Sequence, residues 1–206
     1  MNSSPFSSSE HWLTAITHFD HDDIFIRGRK VEDLMGHGNF ADVAFLLLSG
    51  RMPSTAESRV WNALMIASSD HGPTSPSTFA ARVVASGNRR APEAGMAAGI
   101  LAIGDAHGGA GEEAMAYLHE ALAFMTNKGF SANESAEKIV QQYRQAKKRL
   151  PGMGHRFHAV DPRTRRLWDL AEQNHVAGAG IAMMSEIQKR SPSHWDAKCR
   201  LMLMVP

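Results

Sequence analysis

Three histidines and one arginine in this chain of 206 residues stand where a side chain can do more than pack. His107 lies in Gly104-Asp105-Ala106-His107-Gly108-Gly109-Ala110-Gly111-Glu112-Glu113, just ahead of an expected helix start. The positive end of a helix dipole disfavours imidazolium, and a neutral imidazole can donate a hydrogen bond to a carbonyl that is becoming an enolate. The flanking glycines let a substrate approach the backbone; they equally let helices pack tightly. His155 lies in Pro151-Gly152-Met153-Gly154-His155-Arg156-Phe157-His158, followed by Asp161-Pro162-Arg163. Asp161 suits an N-cap and Pro162 the first helical position, which puts Arg163 beside unsatisfied backbone N–H groups. An arginine at a helix N-terminus makes a carboxylate or phosphate site, although a structural ion pair is the other reading of Arg163. His71, in Asp70-His71-Gly72-Pro73-Thr74, can donate to a carboxylate or simply interact with the C-terminal end of a helix.

The elements that must hold these groups read as helices. Phe40, Val43, Ala44, Leu47 and Leu48 recur at helical spacing, with Gly50 as a C-cap and Pro53 beyond. Ser54 or Thr55 starts a helix through Trp61, Leu64 and Met65 toward Asp70. Further helices are expected over Ser75–Ser86, Pro92–Ile103, Gly109 to just before Gly129, and Ser131 to near Leu150, the last opening with a Ser131/Glu134 capping box. Asp161-Pro162 opens another, holding Leu167, Trp168 and Leu170, and Ile181–Lys189 forms the last. Only Ile24-Phe25-Ile26 suggests an extended run. The class is all-α. The Gly-rich stretches 104–111 and 151–154 mark the expected junctions, giving a flexible tail over 1–10, a large-domain portion over 11–107 and a small helical domain over 108–206.

Composition narrows the function. A net charge of +1, from 22 Lys plus Arg against 21 Asp plus Glu, argues against a nucleic-acid partner. The single cysteine, Cys199, excludes an intramolecular disulfide and a Cys-based zinc site. No apolar run approaches a membrane span, and the Ser-rich start has no apolar signal core, so a cytoplasmic location without membrane attachment is expected. The cluster His18, Asp20, His21, Asp22 and Asp23 has ligands too close in sequence to converge and reads as a solvated loop or edge; no metal is expected. The basic run Arg144, Lys147, Lys148 and Arg149 reads as a solvated helix face or a contact to a phosphorylated cofactor. The glycines near His107 do not form a dinucleotide fingerprint, since no strand leads into them.

Taken together, the segments resemble the citrate synthase superfamily. Ile26-Arg27-Gly28 with Asp33-Leu34 and Phe45–Pro53 resembles its entry segment. Asp70-His71-Gly72 with Ser77-Thr78 and Ala81–Ser86 resembles its second block, Ala106–Ala110 its third, and Pro151–Arg156 with Asp161–Arg163 its fourth, in the family's order. The form of the third and fourth blocks is similar to citryl-CoA lyase and its relatives. The resemblance implies a large and a smaller helical domain, a homodimer, and a carbon–carbon bond made or broken between an acyl-CoA and a 2-oxo acid.

By the same resemblance, His107 bonds the thioester oxygen as the enolate forms, and His155 polarises the oxaloacetate carbonyl or takes the hydroxyl proton in the cleavage direction. His71 and Arg163 bind oxaloacetate. Leu150, Gly152 and Met153 meet the CoA adenine through their main chain. No permanent cofactor is implied; oxaloacetate and acetyl-CoA or citryl-CoA are the small-molecule partners. The family's third catalytic group, an Asp, follows an apolar segment downstream of the fourth block. Here that segment corresponds to Leu201–Pro206, so the chain as given is expected to show little turnover. A citrate synthase proper, or a relative that only binds ligand, remains the alternative.

Overall fold

The structure is a computed structural model that describes residues 14–70, 72–105, 107–153 and 161–191. The expected tail over 1–10 lies outside the described residues. The chain divides into two compact units, residues 1–66 and 67–206.

The first unit opens with a small antiparallel sheet ordered β1-β2-β3, made of Thr17–Asp20, Asp23–Ile26 and Arg29–Lys30. His21 begins the first turn with φ 48, and Arg27-Gly28 forms the second with φ 49 and 76. Two positive φ values in a two-residue connection match the natural twist of a hairpin. The Arg27 guanidinium then reaches out of the sheet: Nη2 donates to the Leu47 carbonyl at 3.1 Å. Lys30 pairs with Asp23 at 2.7 Å across β2 and β3. The acidic and histidine cluster of the sequence thus forms a hairpin with exposed sides, the solvated edge that was expected.

Helix α1, Val31–His37, follows directly, and α2 spans Phe40–Ser49. Asn39 caps α2 by accepting from Asp42 N at 2.9 Å, and Gly50 ends it at φ 80, where a side chain would be strained. Helix α3, Thr55–Ser68, starts with reciprocal bonds: Glu57 N donates to Ser54 Oγ, and Ser54 N donates to Glu57 Oε2. Trp61 packs edge-on against Phe45 at 5.6 Å and donates to the Ala41 carbonyl at 2.6 Å, which joins α3 to α2.

In the second unit α4, Pro76–Gly87, and α5, Pro92–Leu101, form a close pair. A Cβ on Gly95 would stand 3.1 Å from both the Ala81 carbonyl oxygen and the Ala85 methyl. Three further helices enclose the main core: α6, Ala110–Lys128; α7, Ala132–Gln145; and α9, Ala179–Arg190. Tyr117, Ala121, Ile139, Val140, Met183 and Ile187 are buried there. Fully burying side chains of this size contributes about 1.5–3 kcal/mol each for the larger ones. Gly129 at φ 68 closes α6, and Ser131 with Glu134 opens α7 as a capping box.

Helix α7 stops earlier than its sequence suggests. Lys147 takes a left-handed conformation, φ 54, and Lys148 N donates back to the Tyr143 carbonyl at 2.9 Å. Leu150 therefore leaves the helix and enters the core. Helix α8, Pro162–Gln173, begins at Asp161 as expected, and α9 begins two residues before Ile181. The helical class holds, with the short sheet as an addition. Among the described residues no helix is long and apolar enough to cross a membrane.

Candidate active site

The turn that carries His107 folds back on itself. Gly104 N donates to the His107 carbonyl at 2.8 Å, His107 N to the Gly104 carbonyl at 3.1 Å, and Gly109 N to the same oxygen at 2.9 Å. The glycines are required by this geometry. Gly108 sits at φ 103 with an added Cβ 2.8 Å from the Ile103 side chain, and a Cβ on Gly109 would fall 2.8 Å from Asp105 Cα. Any other residue would open the turn and swing the imidazole away from the start of α6.

The half-buried imidazole is held from the side by a second helix start. Its Nε2 lies 3.0 Å from Ser77 Oγ. Ser77 stands in the first turn of α4, behind the N-cap Ser75, whose hydroxyl accepts from Thr78 N at 3.3 Å and lies 3.4 Å from Ser77 Oγ. Where Ser77 donates to Nε2, the single ring proton of a neutral imidazole sits on Nδ1. That nitrogen is then a donor that a substrate oxygen can use. The Ser75–Ser77 hydroxyls are absent from the sequence reading as functional groups, although Ser-Pro-Ser-Thr ahead of a helix is a visible capping pattern.

Arg163 is placed by α8. Its backbone N donates to Asp161 Oδ1 at 2.9 Å, and its Nη2 pairs with Asp161 Oδ2 at 2.7 Å. These side-chain bonds raise the guanidinium further above its ordinary value. Nη1 reaches the Ala67 carbonyl at 3.5 Å, just upstream of His71 in the chain. Of the two sequence readings of Arg163, the structure shows the ion pair, made with Asp161 at the start of α8. His71 and His155 lie outside the described residues. Beside His71, Gly72 takes φ 76 and its N–H donates to Asp70 Oδ1 at 3.1 Å.

The turn Leu150, Pro151, Gly152 and Met153 is docked on α6. Leu150 is buried, Met153 packs against the core, and Gly152 takes φ 72 with an added Cβ only 3.1 Å from Ala114 Cβ. The Tyr117 hydroxyl donates to the Pro151 carbonyl at 3.0 Å. Burial, with the neighbouring Tyr143, pushes this phenol up to about 12. Among the described residues no group of three or more His, Cys, Asp or Glu is placed to hold a metal ion.

Comparison with known proteins matches the same stretches. The family model described as citrate synthase, C-terminal domain, matches residues 8–65 and 53–196. A citrate synthase of Deinococcus radiodurans is 32% identical over 147 residues, covering 70% of this chain and 34% of that protein. A citrate/2-methylcitrate synthase of Bacillus subtilis is 31% identical over 129 residues, covering 62% and 32%. The chain thus spans about a third of the length of these curated relatives. Among solved structures, citryl-CoA lyase from Hydrogenobacter thermophilus superposes with a TM-score of 0.76 at 38% identity, over 86% of this chain and 66% of that one. An ATP citrate lyase of Methanosaeta concilii, solved with (3S)-citryl-CoA, superposes at TM-score 0.76 and 19% identity, over 90% of this chain and 29% of that one, and shows the fold.

Proposed function

Because this chain belongs to the citrate synthase family, we propose that it serves the carbon–carbon bond between an acetyl-CoA unit and oxaloacetate, in the sense of a citryl-CoA lyase. His155 takes the proton of the citryl hydroxyl. The oxygen's electron pair becomes the oxaloacetate carbonyl, the carbon–carbon bond breaks, and its electron pair passes to the thioester as an enolate. The Nδ1–H of His107 bonds the enolate oxygen, the hydroxyl proton stays on His155, and the proton that completes acetyl-CoA at carbon is the one the family's third catalytic group, the Asp, delivers. The reverse sequence makes the bond. A neutral donor suits an oxygen whose charge grows only as the bond breaks.

His71 and Arg163 hold the oxaloacetate carboxylates and carbonyl, and the turn at Leu150, Gly152 and Met153 receives the CoA adenine by its main chain. CoA arrives as the thioester substrate, and no resident cofactor takes part. Residues 11–107 belong to the large domain of the family and 108–206 to the small one. The protein works as a cytoplasmic homodimer, with α4 and α5 at the contact.

The observation that carries this reading is the His107 ring held at 3.0 Å by Ser77, over a glycine turn that tolerates no side chain. The 38% identity to a citryl-CoA lyase supports the cleavage direction. The relatives named citrate synthase favour a second reading, a synthase that also hydrolyses the thioester. Calorimetric titration of the chain with oxaloacetate tests the site. Arg163→Ala and His155→Ala are each expected to weaken binding at least about tenfold, the worth of one charge-assisted bond. Wild-type chain that binds neither oxaloacetate nor CoA would sink the proposal. With citryl-CoA, acetyl-CoA plus oxaloacetate marks the lyase, and citrate plus free CoA the synthase.

A further inference from the structure

Tyr117 is a buried titratable group that the chemistry above leaves idle. It is 1% exposed in the middle of α6 and sits edge-on to Tyr143 at 5.8 Å. A phenylalanine would fill the same space, whereas a buried hydroxyl costs free energy unless it is bonded. Its single proton has two neighbours: the Pro151 carbonyl at 3.0 Å and Met184 Sδ at 3.5 Å. The carbonyl is the stronger acceptor and the nearer.

The same face of α6 meets the turn at a second point. Ala114, one helical turn earlier, lies under Gly152, whose φ of 72 and 3.1 Å clearance leave no room for a side chain. Leu150 is sunk into the core beside them. Consecutive residues of the turn are thus fixed by three different means: burial, a hydrogen bond and close packing on the Ala114 methyl. The hydrogen bond and the close contact are both made with the helix whose N-terminus follows His107, and Leu150 is buried in the core that this helix shares.

We propose that Tyr117 is a positioning residue for the nucleotide end of the CoA thioester, its hydroxyl holding the Pro151 carbonyl so that the main chain of 150–153 is offered in one arrangement. The inference rests on the reading of that turn as the CoA site. Through α6, one rigid element then sets the place of the imidazole turn and the place of the nucleotide turn.

Titration of the whole chain with CoA, and separately with oxaloacetate, tests it. Tyr117→Phe is expected to weaken CoA about two- to tenfold, the worth of one neutral hydrogen bond, and to leave oxaloacetate binding unchanged. A purely structural hydroxyl would lower the thermal midpoint without separating the two ligands. Gly152→Ala is expected to give the same selective loss from the other side of the turn, with Tyr117 intact, should Tyr117→Phe fold poorly. Equal CoA affinity in the wild type and in a folded variant of either kind overturns the role of Tyr117 and leaves the CoA reading standing. A wild type that binds oxaloacetate and not CoA overturns both.

Discussion

The contact between His107 and Ser77 decides what the imidazole can do. Where the Ser77 hydroxyl donates to Nε2, the ring proton sits on Nδ1, and Ser77 then selects the donor the substrate meets. Ser77→Ala is expected to release that selection. The ring ¹⁵N resonances of His107 should move from a Nδ1–H pattern toward a mixture of tautomers, and an unchanged spectrum would deny Ser77 this part. The charged and aromatic groups of this region were legible in different degrees. His107 and Arg163 announce themselves because Gly-Gly and Asp-Pro are local signs of a helix start. Ser77 meets His107 across 30 residues, and Tyr117 meets Pro151 across 34, and no local spacing encodes such contacts. Tyr117 also has a consequence in alkali. Its phenol is pushed up to about 12 by burial, while in the unfolded chain it ionises near the ordinary 10. Its contribution is full below pH 10 and is lost as pH rises toward 12. Tyr117→Phe should therefore flatten alkaline unfolding, followed by circular dichroism, in that window.

Helix ends carry most of what the sequence reveals of the fold. Gly50, Gly129, Ser75, Ser131 and Asp161 each punctuate the chain where side-chain chemistry says they should. What escaped was short or unsigned. Helix α1 is seven residues with no side-chain cap, and it contains one buried residue, Leu34, so neither periodicity nor a boundary marks it. The sheet is made of strands of four, four and two residues, too short for alternation to show. One cap makes a pH prediction. Glu57 accepts from Arg51 and from Ser54 N, and chiefly through the Arg51 bond its carboxyl is lowered from 4.5 to about 2. A depressed carboxylate stabilises above its unfolded value and loses that stabilisation as pH falls through the folded one. The α3 start should weaken between pH 4.5 and 2, and Glu57→Gln should remove that part of the acid dependence in a pH series of urea melts. The α4–α5 pair makes a packing prediction. Gly95→Val places methyl groups against the Ala81 carbonyl and Ala85, and should cost about 1–3 kcal/mol in the same assay.

The second unit has more apolar surface than its own core uses. On α4, Phe79 and Val83 are spaced by one helical turn and are 63% and 54% exposed; on α5, Met96 and Ile100 repeat the pattern at 68% and 66%. Each stripe at i and i+4 makes an apolar ridge along its own helix, not a scatter of single surface residues. The small residues between the helices let both backbones lie close. A second copy of the chain presents the same ridge, and a two-fold axis lets one patch cover its own image. This is why the proposed homodimer is placed on α4 and α5. Sedimentation analysis should find a dimer at tens of micromolar. Ile100→Glu buries a carboxylate against apolar side chains and should shift the species to monomer with the helical circular dichroism retained. If the wild type sediments as a monomer, the ridge needs another occupant and the dimer reading fails. If the Ile100→Glu chain stays dimeric, the contact lies on a different face.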